Sequence, residues 1–324
     1  MYATTADRVK RVDSELVAVL EALPPDWLDL RDIPATRAAL ARMVADAGAH
    51  PSSLDGVDVQ EHATSDTVSG LTVKVRLYRP AGSLEALPVL LWMHGGGYVL
   101  GNLDQDDSSL RYMAREVGCA VVSVDYRLAP AHPFPVPLED CYAALKWVFD
   151  TALVLRIDRS RIAVGGASAG GGLAAALALL ARDRAEIGII FQLLIYPMID
   201  DRNVAAESAV HTDTLIWSRE SNRLAWGAYL GATDGRFDVS PYAAATRALD
   251  LTRLPPAYIP VGELDLFLQE NLAYAQRLID AGVPTELHVY PGAFHGFDGL
   301  APQARISQRF IADRNDALRR ALLV

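Results

Sequence analysis

Residues 165–171, GGASAGG, lie between an apolar run at residues 162–164 and an apolar helical pattern at residues 173–181. Ser168 is at the centre of a G-x-S-x-G pattern, and glycines tolerate the tight backbone of such a strand-to-helix turn. Its hydroxyl is therefore expected to be exposed, as a nucleophile must be. A glycine-rich loop before a helix also fits a phosphate cradle or an ordinary turn. The chain has no G-x-x-x-x-G-K-[ST] loop and no dinucleotide-binding spacing, so the nucleophile interpretation is favoured.

A second glycine loop, His94-Gly95-Gly96-Gly97, directly follows the apolar run at residues 89–93. Successive glycines at the end of a strand can turn backbone N–H groups towards one point, which a developing oxyanion requires and side chains would obstruct. Taken alone, this loop fits a flexible turn as well. Together with the turn at Ser168, it indicates a site for acyl transfer.

The chain resembles the bacterial hormone-sensitive-lipase family of α/β-hydrolase esterases in four sequence blocks. The blocks are HGGG at residues 94–97, DYRLAPAHPFP at residues 125–135, the loop around Ser168, and FHGF at residues 294–297. They follow the family's order, and the resemblance covers roughly residues 55–324. The chain departs from the family at Ala167, where Asp is common, at Ala131, where Glu is common, and at residues 265–270, DLFLQE in place of DPLRDE. None of these changes removes a nucleophile, a base or an oxyanion donor.

The resemblance implies an α/β-hydrolase fold and a serine carboxylesterase that hydrolyses short- to medium-chain acyl esters through an acyl-enzyme. It implies no metal and no cofactor, and the sequence shows no His, Cys and Asp cluster with metal-ligand spacing. An amidase or another acyl hydrolase would use the same triad, and a lipase would prefer long acyl chains. A non-catalytic ligand-binding protein on this fold is a third hypothesis, although such a protein is expected to have lost the base, which this chain retains.

The order of the catalytic residues selects the acid and the base. In this fold the nucleophile, the acid and the base follow one another as Ser, Asp or Glu, His. Of the seven histidines, only His288 and His295 lie beyond the candidate acids near the last strands. His288 belongs to an alternating strand pattern, which favours a structural role, whereas His295 follows in a glycine-flanked loop and is the predicted base. Asp265 matches the catalytic Asp of the family, while Glu263 is its main rival and Asp298 breaks the order.

The predicted oxyanion hole consists of backbone N–H groups. Ala169 supplies one of them directly after the nucleophile. The resemblance assigns the others to the glycine loop, at Gly95, Gly96 and Gly97. His94 is predicted to steer this loop rather than to take part in the chemistry.

Apolar, β-branched runs alternate with helical patterns along most of the chain, which predicts a mostly parallel sheet covered by helices on both faces. The strand-like runs are residues 71–78, 89–93, 120–125, 162–164, 187–196, 257–261 and 286–290. Helical patterns include residues 138–149, 173–181 and 271–280. This is the layout of the α/β-hydrolase fold, and it assigns residues 55–324 to one catalytic domain.

Two segments interrupt the alternation and are predicted to cap the active site. Residues 1–54 contain helical patterns at 6–23 and 35–47, separated by Pro24-Pro25, and residues 200–231 lie between two core strands without forming one. In the family, such insertions form a cap. Four apolar residues of the second segment fit packing within the cap better than contact with substrate, a role that stays open: Leu215, Trp217, Trp226 and Tyr229.

Length and composition fit a catalytic domain and argue against several other classes. The chain has 324 residues, 51% of them hydrophobic, and a formal net charge of −10. The acidic balance gives no footprint for nucleic acid, so a small-molecule ester is the expected partner. The apolar runs are shorter than the roughly 20 residues of a membrane span, and charges interrupt the N-terminal residues, which argues against secretion. Cys119 and Cys141 lack CxxC spacing and fit a reducing cytoplasm, while the oligomeric state stays open with a homodimer as one option.

Overall fold

The computed structural model describes residues 10–24, 27–47, 56–64, 72–204, 215–231 and 238–323. Within these residues, eight strands form one sheet. The strands are β1 (Val57–Ala63), β2 (Lys74–Pro80), β3 (Leu87–Met93), β4 (Ala120–Asp125), β5 (Ile157–Ala167), β6 (Phe191–Ile195), β7 (Ala257–Gly262) and β8 (Thr285–Tyr290). Their order across the sheet is β1-β2-β4-β3-β5-β6-β7-β8.

The sheet is mostly parallel, as the sequence predicts. β3 is parallel to β4 and β5, and the parallel arrangement continues through β6, β7 and β8. β2 is antiparallel to both of its neighbours, β1 and β4. The central strands are buried; in β3, Val89, Leu90 and Leu91 have no exposed surface. Burial on both faces explains why these strands appear in the sequence as continuous apolar runs.

Helices cover both faces of the sheet and complete the α/β-hydrolase fold, which confirms the predicted fold class. They are α1 (Ser14–Ala22), α2 (Ile33–Ala47), α3 (Asp107–Val117), α4 (Val136–Asp150), α5 (Ala152–Leu155), α6 (Ala169–Arg184), α7 (Arg219–Leu230), α8 (Leu268–Asp280), α9 (Phe297–Leu300) and α10 (Arg305–Leu322), with 3₁₀ turns at Leu30–Asp32 and Ala245–Arg247. One apolar core joins the sheet to α4, α6 and α8, and a second joins it to α1, α3 and α10. None of the helices in the described ranges combines the length and the apolar character that a membrane span requires.

The structure contains elements that the sequence patterns did not indicate. Only Val57 is buried in β1, so this strand has no apolar run in the sequence. Its extended conformation depends on pairing with β2. The amphipathic helices α3 and α10 are polar on one side and bury the other, through residues such as Met113 and Phe310. The run predicted at residues 187–196 contains a shorter strand, β6, and residue 71 of the first predicted run lies outside the described residues.

The two predicted cap segments are described in part. Within the pattern at residues 6–23, α1 begins at Ser14, and Asp13 accepts a hydrogen bond from the Glu15 N–H at the N-terminus of this helix. α2 corresponds to the pattern at residues 35–47. Residues 1–9, 25–26 and 48–55 of the first segment, and residues 205–214 of the second, lie outside the described residues.

Candidate active site

Ser168 occupies the turn between β5 and α6. Its φ of 57° lies in the left-handed region, which costs energy for a residue with a side chain and is typical of a strained nucleophile turn. A Cβ on Gly166 would lie 2.4 Å from the Gly170 backbone, and a Cβ on Gly170 would lie 2.0 Å from the Met93 carbonyl oxygen. Only glycine fits at these two positions, because the turn is pressed against the end of β3.

His295 links Ser168 to Asp265 through two hydrogen bonds. The His295 Nε2 atom lies 3.0 Å from the Ser168 Oγ atom, and the His295 Nδ1 atom lies 2.7 Å from an Asp265 carboxylate oxygen. The Nδ1 proton is donated to Asp265, so Nε2 carries the lone pair that accepts the serine hydroxyl proton. All three residues are buried, and Asp265 has no exposed surface. The structure thus brings together the three residues that the sequence analysis selected.

Neighbouring side chains hold Asp265 and His295 in place. Asp265 lies in the turn after β7, and its second carboxylate oxygen accepts the Phe267 N–H at 2.9 Å. The Phe267 and Tyr196 rings contact the His295 ring edge-on, with centroid distances of 5.0 and 4.9 Å. The Tyr196 hydroxyl in turn donates to Asp298 at 2.7 Å. Close packing of this kind leaves the imidazole few alternative rotamers.

The glycine loop lies beside the nucleophile turn. A Cβ on Gly95 would lie 3.5 Å from the Ser168 Cβ atom, so the two segments are in contact. Gly96 and Gly97 have φ angles of 120° and 61°, which residues with side chains rarely adopt. Ala169 is the first residue of α6, where backbone N–H groups have no acceptor within the helix. The loop and the start of α6 therefore both place backbone donors near Ser168.

His94 lies beneath the glycine loop and contacts its backbone. The His94 ring stacks on Tyr126 at a centroid distance of 4.2 Å, and its Nδ1–H donates to the Gly95 carbonyl at 2.8 Å. The Tyr126 hydroxyl donates to the His94 carbonyl at 2.7 Å, and Arg127 forms an ion pair with buried Asp140. Burial lowers the pKa of His94 to about 4, so the ring is neutral at pH 7. These contacts support the loop without offering a proton to substrate.

The other residues considered as catalytic acid or base, Glu263, Asp298 and His288, contact different groups in the described structure. One oxygen of the Glu263 carboxylate accepts the Gly292 N–H at 3.1 Å, and the other pairs with Arg11. His288 lies in β8, and its Nε2 atom is 2.9 Å from the Glu286 carboxylate. Asp298, as noted, accepts the Tyr196 hydroxyl rather than a histidine proton.

Ser168 and His295 face a cavity of about 1150 Å³. Part of its wall is apolar and comes from both predicted cap segments, at Trp27, Leu28, Leu40, Ala41, Met43, Ile216 and Trp217. Another part is charged and comes from β1, β2 and the region of α3, at Glu61, Arg76, Asp104, Asp106, Asp107 and Arg111. Arg76 forms ion pairs with three of these carboxylates, Glu61, Asp104 and Asp107. The cavity thus offers apolar and polar surface to one ligand.

The four apolar residues of the second cap segment have different surroundings. Trp217 lines the cavity, and its ring fills the space beside Gly97, where a Cβ would lie 2.4 Å from the ring. Trp226 and Tyr229 have no exposed surface and pack against each other, at a centroid distance of 5.9 Å. Leu215 packs against the second apolar core. Leu215, Trp226 and Tyr229 are packing residues, whereas Trp217 also faces the cavity.

Two contacts of the site have no counterpart in the sequence motifs. Tyr196 directly follows β6, and its position at the carboxyl end of a central strand is the signal that points to it. Phe267 lies two residues after Asp265, but no pattern indicates that its N–H and its ring both contact the acid–base pair.

Among the described residues, no group of three or more His, Cys, Asp or Glu side chains is arranged to hold a metal ion. Cys119 and Cys141 are buried and unpaired. Burial raises the pKa of the Cys119 thiol to about 12, so this cysteine is a poor nucleophile at pH 7.

Known proteins share both the sequence and the fold of this chain. The sequence profile of the α/β hydrolase fold matches residues 90–299. Carboxylesterase NlhH of Mycobacterium tuberculosis is 35% identical over 96% of this chain and 96% of its own. Esterase LipI of the same organism is 38% identical over 92% of this chain and 91% of its own. Among solved structures, a bacterial heroin esterase superposes with a TM-score of 0.92 at 43% identity, covering 98% of this chain and 99% of that protein.

Proposed function

This chain belongs to the α/β-hydrolase family and is a carboxylic ester hydrolase, and from that premise we propose that Ser168, His295 and Asp265 are its catalytic triad. One observation carries the proposal: a chain of hydrogen bonds runs from the Ser168 hydroxyl through the His295 imidazole to the Asp265 carboxylate and faces the cavity. A serine hydrolase requires its nucleophile, base and acid to be linked in this order.

In the proposed acylation step, an ester binds with its carbonyl carbon next to the Ser168 Oγ atom. His295 Nε2 accepts the hydroxyl proton as the oxygen attacks, and the Asp265 carboxylate stabilises the imidazolium that forms. The tetrahedral intermediate collapses when His295 gives this proton to the departing alcohol oxygen. Ser168 is then esterified with the acyl group.

Deacylation repeats the same proton transfers with water as the nucleophile. His295 accepts a proton from water, and the hydroxyl oxygen attacks the acyl carbonyl carbon. When the second intermediate collapses, His295 returns the proton to the Ser168 oxygen. The carboxylic acid leaves, and the triad side chains have carried every proton transfer of the cycle.

We assign the oxyanion hole to backbone N–H groups of Ala169 and of the glycine loop, Gly95, Gly96 and Gly97. Gly95 and Gly96 line the cavity in front of the nucleophile, while Gly97 lies behind the Trp217 ring. Donors fixed by the backbone stabilise the oxyanion without reorganising during the reaction. Glycine is required at Gly96 and Gly97 because both have left-handed φ angles, and a Cβ would lie 2.4 Å from the Leu100 carbonyl oxygen or from the Trp217 ring.

We further propose that residues 1–54 and 200–231 form a cap over a catalytic domain at residues 55–324. Apolar side chains of both segments line the cavity, including Leu40 and Met43 of α2 and Trp217 next to α7. The cavity of about 1150 Å³ lies just above the ~300–1,000 Å³ of ordinary small-molecule sites, and we propose that it accepts esters with short- to medium-chain acyl groups.

A hydrolysis screen tests this function directly. We expect turnover of soluble p-nitrophenyl esters from acetate to octanoate, a marked decline towards palmitate, and much slower cleavage of matched anilides. A preference for palmitate would instead indicate a lipase, and faster cleavage of the anilides would indicate an amidase. Saturable binding of the esters without turnover would indicate a ligand-binding protein.

Two finer parts of the proposal concern location and assembly. We place the enzyme in the cytoplasm, which the two unpaired, buried cysteines support, and expect its partners to be small-molecule esters and not nucleic acid. The oligomeric state stays open, with a homodimer as one option, and light scattering of the purified protein determines it.

A further inference from the structure

We propose that Arg37 of α2 is a positioning residue for the glycine loop, so that the cap helix beside the substrate also holds the oxyanion donors. The proposal rests on the function proposed above, because it concerns the oxyanion hole of the same site. Its basis is one guanidinium that hydrogen-bonds to two loops of the catalytic domain.

The Arg37 guanidinium bridges two backbone carbonyls. Its Nε atom donates to the Val99 carbonyl at 2.8 Å, and its Nη2 atom donates to the Ala129 carbonyl at 2.8 Å. The two loops also contact each other, because the Ala129 N–H donates to the Tyr98 carbonyl at 3.0 Å. Arg37 therefore fastens the segment that follows Gly97 to the segment that follows β4.

The Val99 carbonyl belongs to the same turn as the oxyanion glycines. The Val99 and Leu100 N–H groups both donate to the Gly96 carbonyl, at 3.0 and 2.8 Å. This turn orients the peptide groups of glycines that would otherwise adopt many conformations. Val99 and Ala129 have no exposed surface, so water does not readily replace the guanidinium as a donor to their carbonyls. Removing the Arg37 side chain therefore loosens one end of the turn.

The same helix forms part of the substrate cavity. Leu40, Ala41 and Met43 of α2 line it, about one turn beyond Arg37. At the start of the helix, the buried Thr36 hydroxyl donates to the Asp29 carbonyl at 2.6 Å. A substrate group that packs on Leu40 or Met43 thus contacts the helix that holds the glycine loop, and substrate binding and oxyanion stabilisation share one structural element.

An arginine suits this role better than a lysine. The guanidinium donors lie in one plane and point in fixed directions, so a single side chain can bridge two acceptors. A lysine ammonium is a compact charge on a flexible stem and does not impose the same spacing on the two carbonyls. Replacement by lysine is therefore expected to keep the charge but to lose part of the positioning.

The test compares Arg37→Met with Arg42→Met, which removes an exposed arginine from the same helix. For Arg37→Met we expect kcat on p-nitrophenyl butyrate to fall by about tenfold to a hundredfold, with KM changed by less than about twofold, because a misplaced oxyanion donor weakens only the transition state. Affinity for phenylboronic acid, which forms a tetrahedral adduct with the serine, should fall by a similar factor. Affinity for benzyl alcohol, a ground-state competitor, and the activity of Arg42→Met should stay near wild type.

Two further variants keep the proposal testable if Arg37→Met folds poorly. Arg37→Lys should be intermediate in kcat, and millimolar guanidinium chloride should restore part of the activity of Arg37→Ala where sodium chloride does not. An increase in KM with unchanged kcat would overturn the proposal, since α2 would then only form the cavity wall. Loss of thermal stability with unchanged kcat would overturn it as well. An active Ser168→Ala variant would refute the proposed function itself, whereas an inactive Ser168→Ala beside a normal Arg37→Met refutes only the role of Arg37.

Discussion

Two histidines near the last strands, His295 and His288, both lie beside carboxylates and an edge-on tyrosine ring, yet they differ in burial and in what their second nitrogen contacts. His295 is buried and lies between a buried carboxylate and the Ser168 hydroxyl. The His288 side chain is 33% exposed, with its two nitrogens 2.9 and 3.6 Å from the carboxylates of Glu286 and Asp313. A histidine–carboxylate pair is common to both regions. The nucleophile and the cavity belong only to the first.

Their positions in the sheet explain the difference. His288 lies within β8, where side chains alternate between the two faces of an edge strand. His295 lies in the loop that follows β8, at the carboxyl ends of the parallel strands. The turns after β5 and β7 also end there and carry Ser168 and Asp265. Parallel strands gather their C-terminal loops along one edge, so residues far apart in the chain meet at that edge.

Among the substitutions that test this comparison, Ser168→Ala is expected to have the largest effect on activity. We expect kcat on a soluble ester to fall by a factor on the order of 10⁶, because the residue that forms the acyl-enzyme is lost. Circular dichroism and thermal melting of the variant control for folding. A folded Ser168→Ala protein that keeps more than about a hundredth of wild-type kcat would show that the His295 region is not the catalytic one.

Exchanging the histidines tests the comparison itself. His295→Ala is expected to be nearly as damaging as loss of the serine, because the His295 Nε2 atom is the acceptor of the serine hydroxyl proton. His288→Ala should retain nearly all of the wild-type kcat and change mainly the melting temperature, since His288 contacts surface carboxylates and the Tyr258 and Tyr290 side chains. Both rates are measured on one ester at saturating concentration, and an inactive His288→Ala beside an active His295→Ala would reverse the assignment.

The two candidate acids, Asp265 and Glu263, differ in the same way as His295 and His288, because only the first of each pair belongs to the proposed triad. Asp265→Asn should lower kcat by about 10⁴, because an amide favours the wrong imidazole tautomer. Glu263→Gln should have a much smaller effect, since this side chain contacts Arg11 and the Gly292 N–H. The matched pair removes one negative charge in each case, so charge alone does not explain a difference. If Glu263→Gln were the slower variant, the acid would have to be reassigned.

Protonation of a third histidine, His94, is expected to lower stability, an effect smaller than those of the triad substitutions. Its pKa is about 4 in the folded chain, below the ordinary value of 6.5, so the unfolded chain takes up the proton first. This contribution to stability is present above pH 6.5 and is lost as the pH falls from 6.5 towards 4, by about 3 kcal/mol in total. Urea unfolding at neutral and acidic pH should show this extra loss in the wild type and in His288→Ala, but not in His94→Asn. An equal loss in His94→Asn would contradict the buried, neutral state of the ring.

The strands that are buried on both faces could be predicted from the sequence. β3 and β4 appear as continuous apolar runs, and the predicted range of β4 agrees with the structure at both ends. β1 exposes most of its side chains and is stabilised by its partner, so its own residues carry no strand signal. The amphipathic helices α3 and α10 likewise depend on the sheet that they cover.

The sequence by itself determined the nucleophile turn and the glycine loop. Gly166 and Gly170 are required by contacts with nearby backbone, and Gly96 and Gly97 have positive φ angles that glycine adopts most easily, so these features are local and visible as motifs. The order of Ser168, an acid and a histidine along the chain narrowed the other two positions to a few candidates.

Only the tertiary structure decided which of those candidates meet and what surrounds them. His295 contacts Ser168 across 127 positions of sequence, and Arg37 contacts Ala129 across 92. Contacts of this range depend on how the loops converge at the sheet edge and how the cap packs on them, which no local pattern records. The cavity wall at Met43 and Trp217 is also a property of the tertiary structure, because an apolar residue appears the same in the sequence whether it faces a core or a substrate.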